Sequence, residues 1–329
     1  MEKEYYLGID GGQSGSRCLV IDSGGTIVGM GKAGKIDHVL APGGRERLRE
    51  AFQTAIAGAT GGEKIQFKAA FLGLSGVVAG GCLEQTVREA VAGVFHTEHL
   101  FVDNDGIIAW GGALSLRPGI IAIAGSGSLV LGVDHKGRME RAAGWGYLFG
   151  DEAGAFGIAV SAIKGELRKA DEGYPPSALT EQIVAHFGVR ELWEIVKGFY
   201  AGDFDRAKIG GLTPVLAAAA RNGSGDLMEI FRDAATVLAD QIDMVARRLD
   251  WKGSSILWSP IGGVFRSGDL FTEPLVGRLK SISTFDFTMV PPEYPPVVGA
   301  ALLAFQKSGR AFPNGFLGRL RESFRPLAD

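Results

Sequence analysis

Short apolar runs alternate with amphipathic helical patterns along the first third of the chain. Residues 5–10 and 17–22 are predicted strands, and Ser23-Gly24-Gly25 ahead of 26–30 indicates a hairpin turn. The elements predicted next are a helix over 44–59, a strand over 68–74, a helix over 83–95 and a strand over 100–103. The pattern therefore predicts three antiparallel strands followed by two strand–helix crossovers.

A second series of the same form begins with a wholly apolar strand over 119–124. Strand 129–134 follows, and the turn His135-Lys136-Gly137 leads into a third strand. The remaining predictions are a long helical region from 152 to about 250, strands over 255–259 and 285–290, and a last helix over 297–306. Two halves that each open with a glycine-ended strand and a hairpin predict a duplicated α/β domain.

Composition and charge narrow the classes of protein. The net charge of −3 over 329 residues favours neither a nucleic-acid backbone nor an anionic membrane as partner. No apolar stretch reaches membrane-spanning length, and the N-terminal residues have no signal-peptide pattern. Cys18 and Cys82 have no metal-ligand spacing and are predicted to be reduced thiols. We therefore expect a cytoplasmic protein without nucleic-acid or membrane partners.

Glycines cluster where apolar runs end, as a backbone requires if it approaches a phosphate closely. The turn between the first two predicted strands reads Asp10-Gly11-Gly12-Gln13-Ser14-Gly15-Ser16. Its amides, with the hydroxyls of Ser14 and Ser16, are predicted to bind phosphate, and Asp10 is predicted to hold Mg²⁺ through water. The alternative is a tight hairpin with an exposed aspartate. A second turn of the same form, Gly125-Ser126-Gly127-Ser128, favours a polyphosphate ligand.

The segment Asp103-Asn104-Asp105-Gly106 closes one predicted strand and opens a helix. A carboxylate at a strand end is suited to accept a proton from a substrate hydroxyl, which is the role of the base in kinases. The alternative is a helix N-cap, a position that Asp and Asn favour. Because Asp103 is expected to lie within the strand, Asp105 is the candidate for chemistry.

A third motif joins a predicted strand to the long helical region and reads Gly144-Trp145-Gly146-Tyr147-Leu148-Phe149-Gly150-Asp151-Glu152. Small residues around an aromatic ring, followed by carboxylates, suit a sugar, because carboxylates accept hydrogen bonds from its hydroxyls. The alternative is a helix start with Asp151 as N-cap and Trp145 in the core.

Two further patterns are predicted to carry no function. The glycines of 29–34 fit dinucleotide and P-loop spacings, but Ile36 replaces the residue that would hold Mg²⁺, and no helix follows directly. His96 and His99 are predicted to lie in a short surface turn rather than in a metal site.

Taken in order, the motifs of this chain resemble those of the superfamily of actin, sugar kinases and heat-shock chaperones. The nearest branch is the BadF/BadG/BcrA/BcrD ATPase family, in its N-acetylglucosamine kinase-like members. The segments that carry the resemblance are 10–16, Asp105, 125–128, 144–152 and 259–263. The glycines and acids of 144–152 form the most specific match.

The resemblance implies two ribonuclease H-like domains, 1–117 and 118–296, with an interdomain cleft and with a C-terminal helix, 297–329, packed back on the first. It implies a homodimer that uses ATP and Mg²⁺ to phosphorylate the 6-hydroxyl of N-acetylglucosamine or a related small sugar. Asp105 would be the general base. The implied adenosine-binding residues are Gly262, Gly263 and Val264. The implied sugar-binding residues are Asp37, His38, Asp105, Gly144, Trp145 and Asp151.

Two positions depart from the family pattern. Gly15 stands where a Lys or Arg is usual, with Arg17 two residues on, and Asp37 replaces the usual Asn. The second change leaves glucosamine and N-acetylmuramic acid open as alternative substrates. Alternatives of other classes are an ATP-driven activator of a radical dehydratase and a non-catalytic sugar sensor. The first would need cysteines that hold an iron–sulfur cluster, for which Cys18 and Cys82 are poorly spaced.

Overall fold

A computed structural model describes residues 3–12, 15–36, 39–77 and 79–325. Within these ranges the chain forms two compact units. The first contains the residues up to Arg117 and from Pro292 onward, and the second is Pro118–Pro291. The second unit thus ends a few residues before the domain limit expected at 296.

The described residues form the following strands and helices in chain order. The strands are β1 (Tyr5–Gly12), β2 (Gly15–Asp22), β3 (Ile27–Ala33), β4 (Gln66–Leu74), β5 (His96–Asn104), β6 (Gly119–Ala124), β7 (Ser128–Val133), β8 (Met139–Ala143), β9 (Ser255–Ile261) and β10 (Asp286–Met289). The α-helices are α1 (Gly44–Thr60), α2 (Cys82–Val91), α3 (Asp105–Leu114), α4 (Ala155–Asp171), α5 (Ala178–Phe187), α6 (Leu192–Ala201), α7 (Arg206–Gly210), α8 (Thr213–Arg221), α9 (Gly225–Arg248), α10 (Asp269–Ile282), α11 (Pro296–Lys307) and α12 (Phe316–Ser323). A 3₁₀ turn, Gly263–Ser267, follows β9.

In the first unit, the described strands form a sheet of order β3-β2-β1-β4-β5. Helices pack against β1 so closely that Tyr6, Leu7 and Ile9 are fully buried, and Tyr6 meets Phe305 of α11 with 4.7 Å between ring centroids. Strands β1, β4 and β5 are parallel, with Asp10 level with Gly73, and Gly73 level with Asp103. Their carboxyl ends therefore meet at one edge of the sheet.

In the second unit, the described strands form a sheet of order β10-β9-β6-β7-β8, which like the first sheet has two neighbouring parallel pairs and two neighbouring antiparallel pairs. The long helix α9 packs on it through buried apolar positions such as Phe231 and Leu238. Strand β6 runs parallel to β9, so that Ile123 is level with Ile261. The glycine turns that follow these two strands therefore share an edge. The α/β fold predicted from the sequence is confirmed.

The prediction for the segment around His96 and His99 is wrong. Both residues lie in β5, which begins at His96 paired with Gln66, and α2 ends at Val91 instead of continuing to 95. Strand β5 is the last strand of its sheet, and its first residues are mostly exposed, so pairing with β4 forms a strand without an apolar run. In the described part of the chain, no three His, Cys, Asp or Glu side chains gather as a metal site would require.

The helical content differs from the sequence pattern in two further places. The region predicted as one helical stretch between 152 and 250 is divided into α4 to α9, and α12 was not predicted. Gly188 and Gly202, both in the left-handed conformation, end α5 and α6. None of the helices in the described ranges is both long and apolar enough to cross a membrane.

A buried carboxylate ties one turn of the second unit to the end of α9. Asp134 accepts hydrogen bonds from the backbone N–H groups of Lys136 (2.8 Å), Arg138 (2.9 Å) and Asp250 (3.2 Å), and from Nε of Arg138 (2.9 Å). These donors stabilise the ionised form and hold the pKa of Asp134 well below its usual range, against the effect of burial.

Asp134→Asn is expected to destabilise this unit by about 2 kcal/mol at pH 7, because hydrogen bonds to a charged acceptor are lost. Since the folded-state pKa is lowered, the stabilisation is complete above the unfolded pKa of about 3.9 and disappears as the pH falls below it. Urea unfolding followed by tryptophan fluorescence at pH 7 and pH 3 measures the difference. The difference in unfolding free energy between wild type and variant should be smaller at pH 3 than at pH 7. A difference in unfolding free energy of equal size at both pH values would contradict this account. As a control, Asp250→Asn, on the exposed side of the cluster, should lower the free energy of unfolding by less than Asp134→Asn does.

Candidate functional site

Two carboxyl groups lie close together at the carboxyl edge of the first sheet. Asp10 is near the end of β1, and Asp105 is the first residue of α3. Burial, followed by the charge of Asp105, raises the pKa of Asp10 to about 6, while Arg17, opposite Asp10 on β2, opposes the rise. Burial also raises the pKa of Asp105, and a hydrogen bond from the Ser75 side chain opposes that shift. The pair forms an anionic centre suited to a cation or to proton transfer.

The neighbours of Asp105 have other roles. The N-cap of α3 is Asn104, whose side chain accepts a hydrogen bond from the Gly106 N–H at 2.9 Å. Asp103 belongs to β5 and accepts from the backbone N–H groups of Ala79 (3.1 Å) and Asn104 (2.8 Å). Of the two acids in this motif, Asp105 is therefore the one that lies beside Asp10.

A pocket that is open to solvent adjoins this centre within the first unit. Gly11 and Ser75, which line it, connect it to Asp10 and Asp105. Its other lining residues are Gly12, Ile36, Val39, Leu48, Leu74, Gly76, Val77, Leu83 and Val87. The pocket thus has a polar side and an apolar wall, and it can hold a small molecule that has both characters.

Some predicted residues of this unit fall outside the described ranges. They are Gln13 and Ser14 of the first glycine turn, and Asp37 and His38. Ser16, at the start of β2, is 1% exposed, and its hydroxyl has no hydrogen-bond partner among the described residues. A buried hydroxyl of this kind is able to bond a group that the protein itself does not supply.

The second unit brings two predicted glycine segments together. The turn 125–128 connects β6 and β7, and the Gly125 N–H donates to the Gly127 carbonyl at 2.9 Å. Gly262 follows β9 with φ of 113°, and a Cβ there would collide with the Ala124 carbonyl group, so only glycine fits. The predicted phosphate-binding turn and the segment with Gly263 and the buried Val264 are therefore adjacent.

The motif 144–152 lies beside the same turn. Asp151 is 7% exposed, and its carboxylate packs so closely on Gly127 that a Cβ there would collide with it. The N-cap of α4 is Gly154, and Trp145 is 65% exposed under the guanidinium of Arg141, 4.5 Å from its ring centroid. The alternative of a capping Asp151 and a core Trp145 is therefore wrong.

Two residues of these sites were not found from the sequence. Ser75 follows β4 with no motif around it, and only the fold brings it to Asp105. Arg206, in α7, lies 3.7 Å from Oδ2 of Asp151, and its guanidinium carbon is 4.7 Å from the centroid of the Tyr147 ring. The sequence around Arg206 signals only a helix start, through the N-cap Asp205. Each unit therefore carries its own set of candidate residues.

Two sheets of this strand order, each with glycine turns at the carboxyl edge, are the fold of actin-like ATPases, the class that includes sugar kinases. Residues 7–304 match the model of the BadF/BadG/BcrA/BcrD ATPase family, and the chain belongs to that family. The resemblance identified from the sequence motifs is confirmed.

Similar proteins include two curated relatives. The chain is 26% identical over 181 residues to an N-acetylmuramic acid/N-acetylglucosamine kinase of Clostridium acetobutylicum, which covers 55% of this chain and 59% of that relative. The matching region of this chain thus spans less than two thirds of that relative's length. It is 24% identical to an N-acetyl-D-glucosamine kinase of Dictyostelium discoideum, over 92% of this chain and 98% of the relative.

Solved structures agree with the fold. A provisionally named N-acetylglucosamine kinase from Chromobacterium violaceum superposes with a TM-score of 0.68 at 25% identity, covering 92% of this chain and 99% of that one. A glucokinase of the ROK family from Streptomyces griseus, solved with glucose and an ATP analogue, gives a TM-score of 0.56 at 19% identity, with 92% and 99% covered. The second likeness supports the fold alone.

Proposed function

We propose that the protein is an ATP-dependent amino-sugar kinase that transfers the γ-phosphoryl group to the 6-hydroxyl of N-acetylglucosamine or a close relative. The observation that carries the proposal is the pair of buried carboxyl groups, Asp10 and Asp105, beside a pocket that is polar on one side and apolar on the other. The family and the names of the curated relatives support the same reaction.

In this reaction Asp105 is the general base. Its carboxylate accepts the proton of the sugar hydroxyl as the oxygen attacks the γ-phosphorus, and the bond from that phosphorus to the bridging oxygen of ADP breaks. Burial favours proton uptake by Asp105, because it raises the pKa of the carboxyl group. The hydrogen bond from Ser75 holds the carboxylate in place.

Asp10 would hold Mg²⁺ through water. The residues present fit such an ion, because two buried carboxyl groups that raise one another's energy gain from a nearby cation. When bound, magnesium neutralises charge on the phosphate groups of ATP. Arg17, across the sheet from Asp10, adds positive charge to the same edge.

The glycine turns would bind the nucleotide. In the first unit these are Gly11, Gly12 and Ser16, with Gln13 and Ser14 assigned from the sequence alone. In the second unit the turn 125–128 offers backbone N–H groups to phosphate oxygens, and the buried hydroxyls of Ser128 and Ser259 lack partners among the described residues. Gly262, Gly263 and Val264 would lie against the adenosine.

The pocket suits an amino sugar that carries an acyl group. The apolar wall formed by residues such as Val39, Leu48 and Val87 favours burial of an acetyl methyl, while the Ser75 hydroxyl, which donates to Asp105, can accept a hydrogen bond from a sugar hydroxyl or an amide N–H. In the second unit, the exposed Trp145 and the buried Asp151 offer a flat apolar face and a hydroxyl acceptor. These features favour an N-acetylated substrate over an unmodified hexose.

The test is a coupled ADP-release assay with N-acetylglucosamine, N-acetylmuramic acid, glucosamine and glucose. We expect the highest kcat/KM with an N-acetylated sugar, and mass spectrometry should locate the new phosphate on oxygen 6. ADP release that is equal with and without each sugar would indicate an ATPase instead. Iron and sulfide analysis of the same preparation tests the radical-dehydratase activator, which would need a cluster.

Trp145 provides a direct signal of sugar binding. N-acetylglucosamine is expected to change the tryptophan emission of the wild type but not that of Trp145→Phe. Trp145→Ala should weaken sugar binding about fivefold, on the order of 1 kcal/mol for a lost aromatic face. The matched control is Trp193→Phe, since Trp193 is also exposed and has Lys197 5.8 Å from its ring. An emission change that survives in Trp145→Phe but disappears in Trp193→Phe would remove Trp145 from the sugar site.

A further inference from the structure

Asp151 has an unusual environment for a carboxylate. Its backbone is left-handed, with φ of 66°, and its side chain is 7% exposed. Oδ1 is buried and has no hydrogen-bond partner among the described residues. Because an unpaired buried acceptor is costly, this oxygen is available for a donor that comes from outside the chain, such as a sugar hydroxyl.

The charged groups that act on Asp151 are few. Arg206, from α7, is 3.7 Å from Oδ2, and the neighbouring Glu152 adds a like charge. Burial is the largest influence and raises the pKa of Asp151, whereas the backbone N–H groups of Ser128 and Gly146 and the charge of Arg206 oppose the rise. Arg206 is the cation that favours the ionised form.

Arg206 is itself held in one position. Its guanidinium carbon lies 4.7 Å from the Tyr147 ring centroid and 5.8 Å from that of Phe156, and the two rings pack edge to face at 5.2 Å. Such cation–π contacts orient a planar guanidinium well. Nε of Arg206 is buried and makes no hydrogen bond within the described ranges, so the side chain has donors to spare. Tyr147 of the 144–152 motif and Phe156 of α4 thus fix the arginine that faces Asp151.

We propose that Arg206 is a positioning residue for the sugar site: it keeps Asp151 ionised and holds its carboxylate so that the buried, unpartnered oxygen can accept a hydrogen bond from the substrate. The inference rests on the proposed function, since it takes Asp151 as a sugar ligand. Arg206 acts through Asp151 and its loop, so its loss affects sugar capture more than phosphoryl transfer at saturating sugar.

The experiment compares the pH dependence of kcat/KM for N-acetylglucosamine in the wild type, Arg206→Gln and Arg206→Lys. Ionised Asp151 binds the hydroxyl, so its protonation adds to the fall of kcat/KM at low pH, while Asp10 and Asp105 contribute equally in all three proteins. Without Arg206 the pKa of Asp151 rises, and the acid limb should move up by about one pH unit, as an opposite charge at this distance implies. KM should rise with kcat nearly unchanged. Arg206→Lys should move the acid limb by less than Arg206→Gln does, because lysine keeps the charge but not the planar stacking.

Two controls separate positioning from stability. Arg278→Gln breaks another arginine–aspartate pair of the same unit, with Asp240 at 2.8 Å, and should leave the pH profile unchanged. In an Asp151→Asn background, Arg206→Gln should cause no further shift of the acid limb. An acid limb that stays in place in Arg206→Gln, or one that moves equally with Asp151 present or replaced, would overturn the proposal.

A readout without turnover distinguishes this inference from the function on which it rests. The carboxyl carbon of Asp151, identified by its loss in Asp151→Asn, can be titrated by ¹³C NMR in the wild type and in Arg206→Gln. A higher pKa in the variant supports the control of Asp151 by Arg206 even if no amino sugar is phosphorylated. An unchanged pKa overturns it even if the kinase activity is found.

Discussion

Asp105→Asn is expected to lower kcat by roughly two to four orders of magnitude, which is the usual contribution of a positioned general base. Asparagine has the same shape and can still accept a hydrogen bond from Ser75, but it takes up no proton from the sugar hydroxyl. The fold and the binding of ATP should therefore remain. Steady-state kcat, the melting temperature and the Kd of a non-hydrolysable ATP analogue measure the three quantities separately.

Asp103→Asn is the matched control for Asp105→Asn. Asp103 lies two residues away, but its carboxylate accepts hydrogen bonds from the backbone N–H groups of Ala79 and Asn104 instead of facing Asp10. This variant should keep most of its activity. If Asp105→Asn retained more than about a third of wild-type kcat, far above the range for a lost base, Asp105 would not be the base.

Much of the fold could be predicted because buried parallel strands are apolar throughout and end in glycine. The strand over 119–124 and the turn after it are visible for this reason. Strand β5 was predicted too short, since its exposed start pairs through the backbone with β4 and needs no apolar side chains. Helix α12 is amphipathic and only two turns long, too short for a clear period.

The residues of the candidate sites also differ in whether local sequence identifies them. Residues that belong to local motifs, such as Asp10, Asp105 and Asp151, can be identified from their neighbours in the sequence. Ser75 and Arg206 cannot, because each reaches its carboxylate only through tertiary packing. The pocket is also invisible in the sequence, since its apolar wall combines side chains from α1, α2 and the loops near them, and each is unremarkable alone.

The two acids of the first unit differ in their surroundings, and the difference supports the separate roles proposed for them. Asp105 accepts a hydrogen bond from the Ser75 side chain, whereas charge is the main influence on Asp10 after burial, with Asp105 raising its pKa and Arg17 lowering it. Among the described residues, the charges of Asp105 and Arg17 are what act on Asp10 besides burial, and a buried carboxylate in such surroundings is suited to face a hydrated cation. A carboxylate held by a hydroxyl donor, as Asp105 is by Ser75, is suited to a fixed position for proton transfer.

Asp10→Asn is accordingly expected to raise the Mg²⁺ concentration for half-maximal activity by roughly 10- to 100-fold, the usual effect of losing a group that holds a metal ion through its outer shell. Asp105→Asn should lower kcat but leave that concentration unchanged. The measurement is a Mg²⁺ titration of kcat at saturating ATP and sugar. Calorimetry of an ATP analogue with and without Mg²⁺ adds a binding readout, in which Asp10→Asn should lose most of the gain in affinity from the metal.

Stability provides the control for Asp10→Asn. The substitution removes a buried charge that repels Asp105, so the melting temperature should be unchanged or higher. Loss of activity together with retained stability would then be a loss of function and not of fold. If instead Asp10→Asn and Asp105→Asn both lowered kcat with the wild-type Mg²⁺ dependence, the two carboxylates would act as one proton-accepting pair, and the metal would have to be held elsewhere.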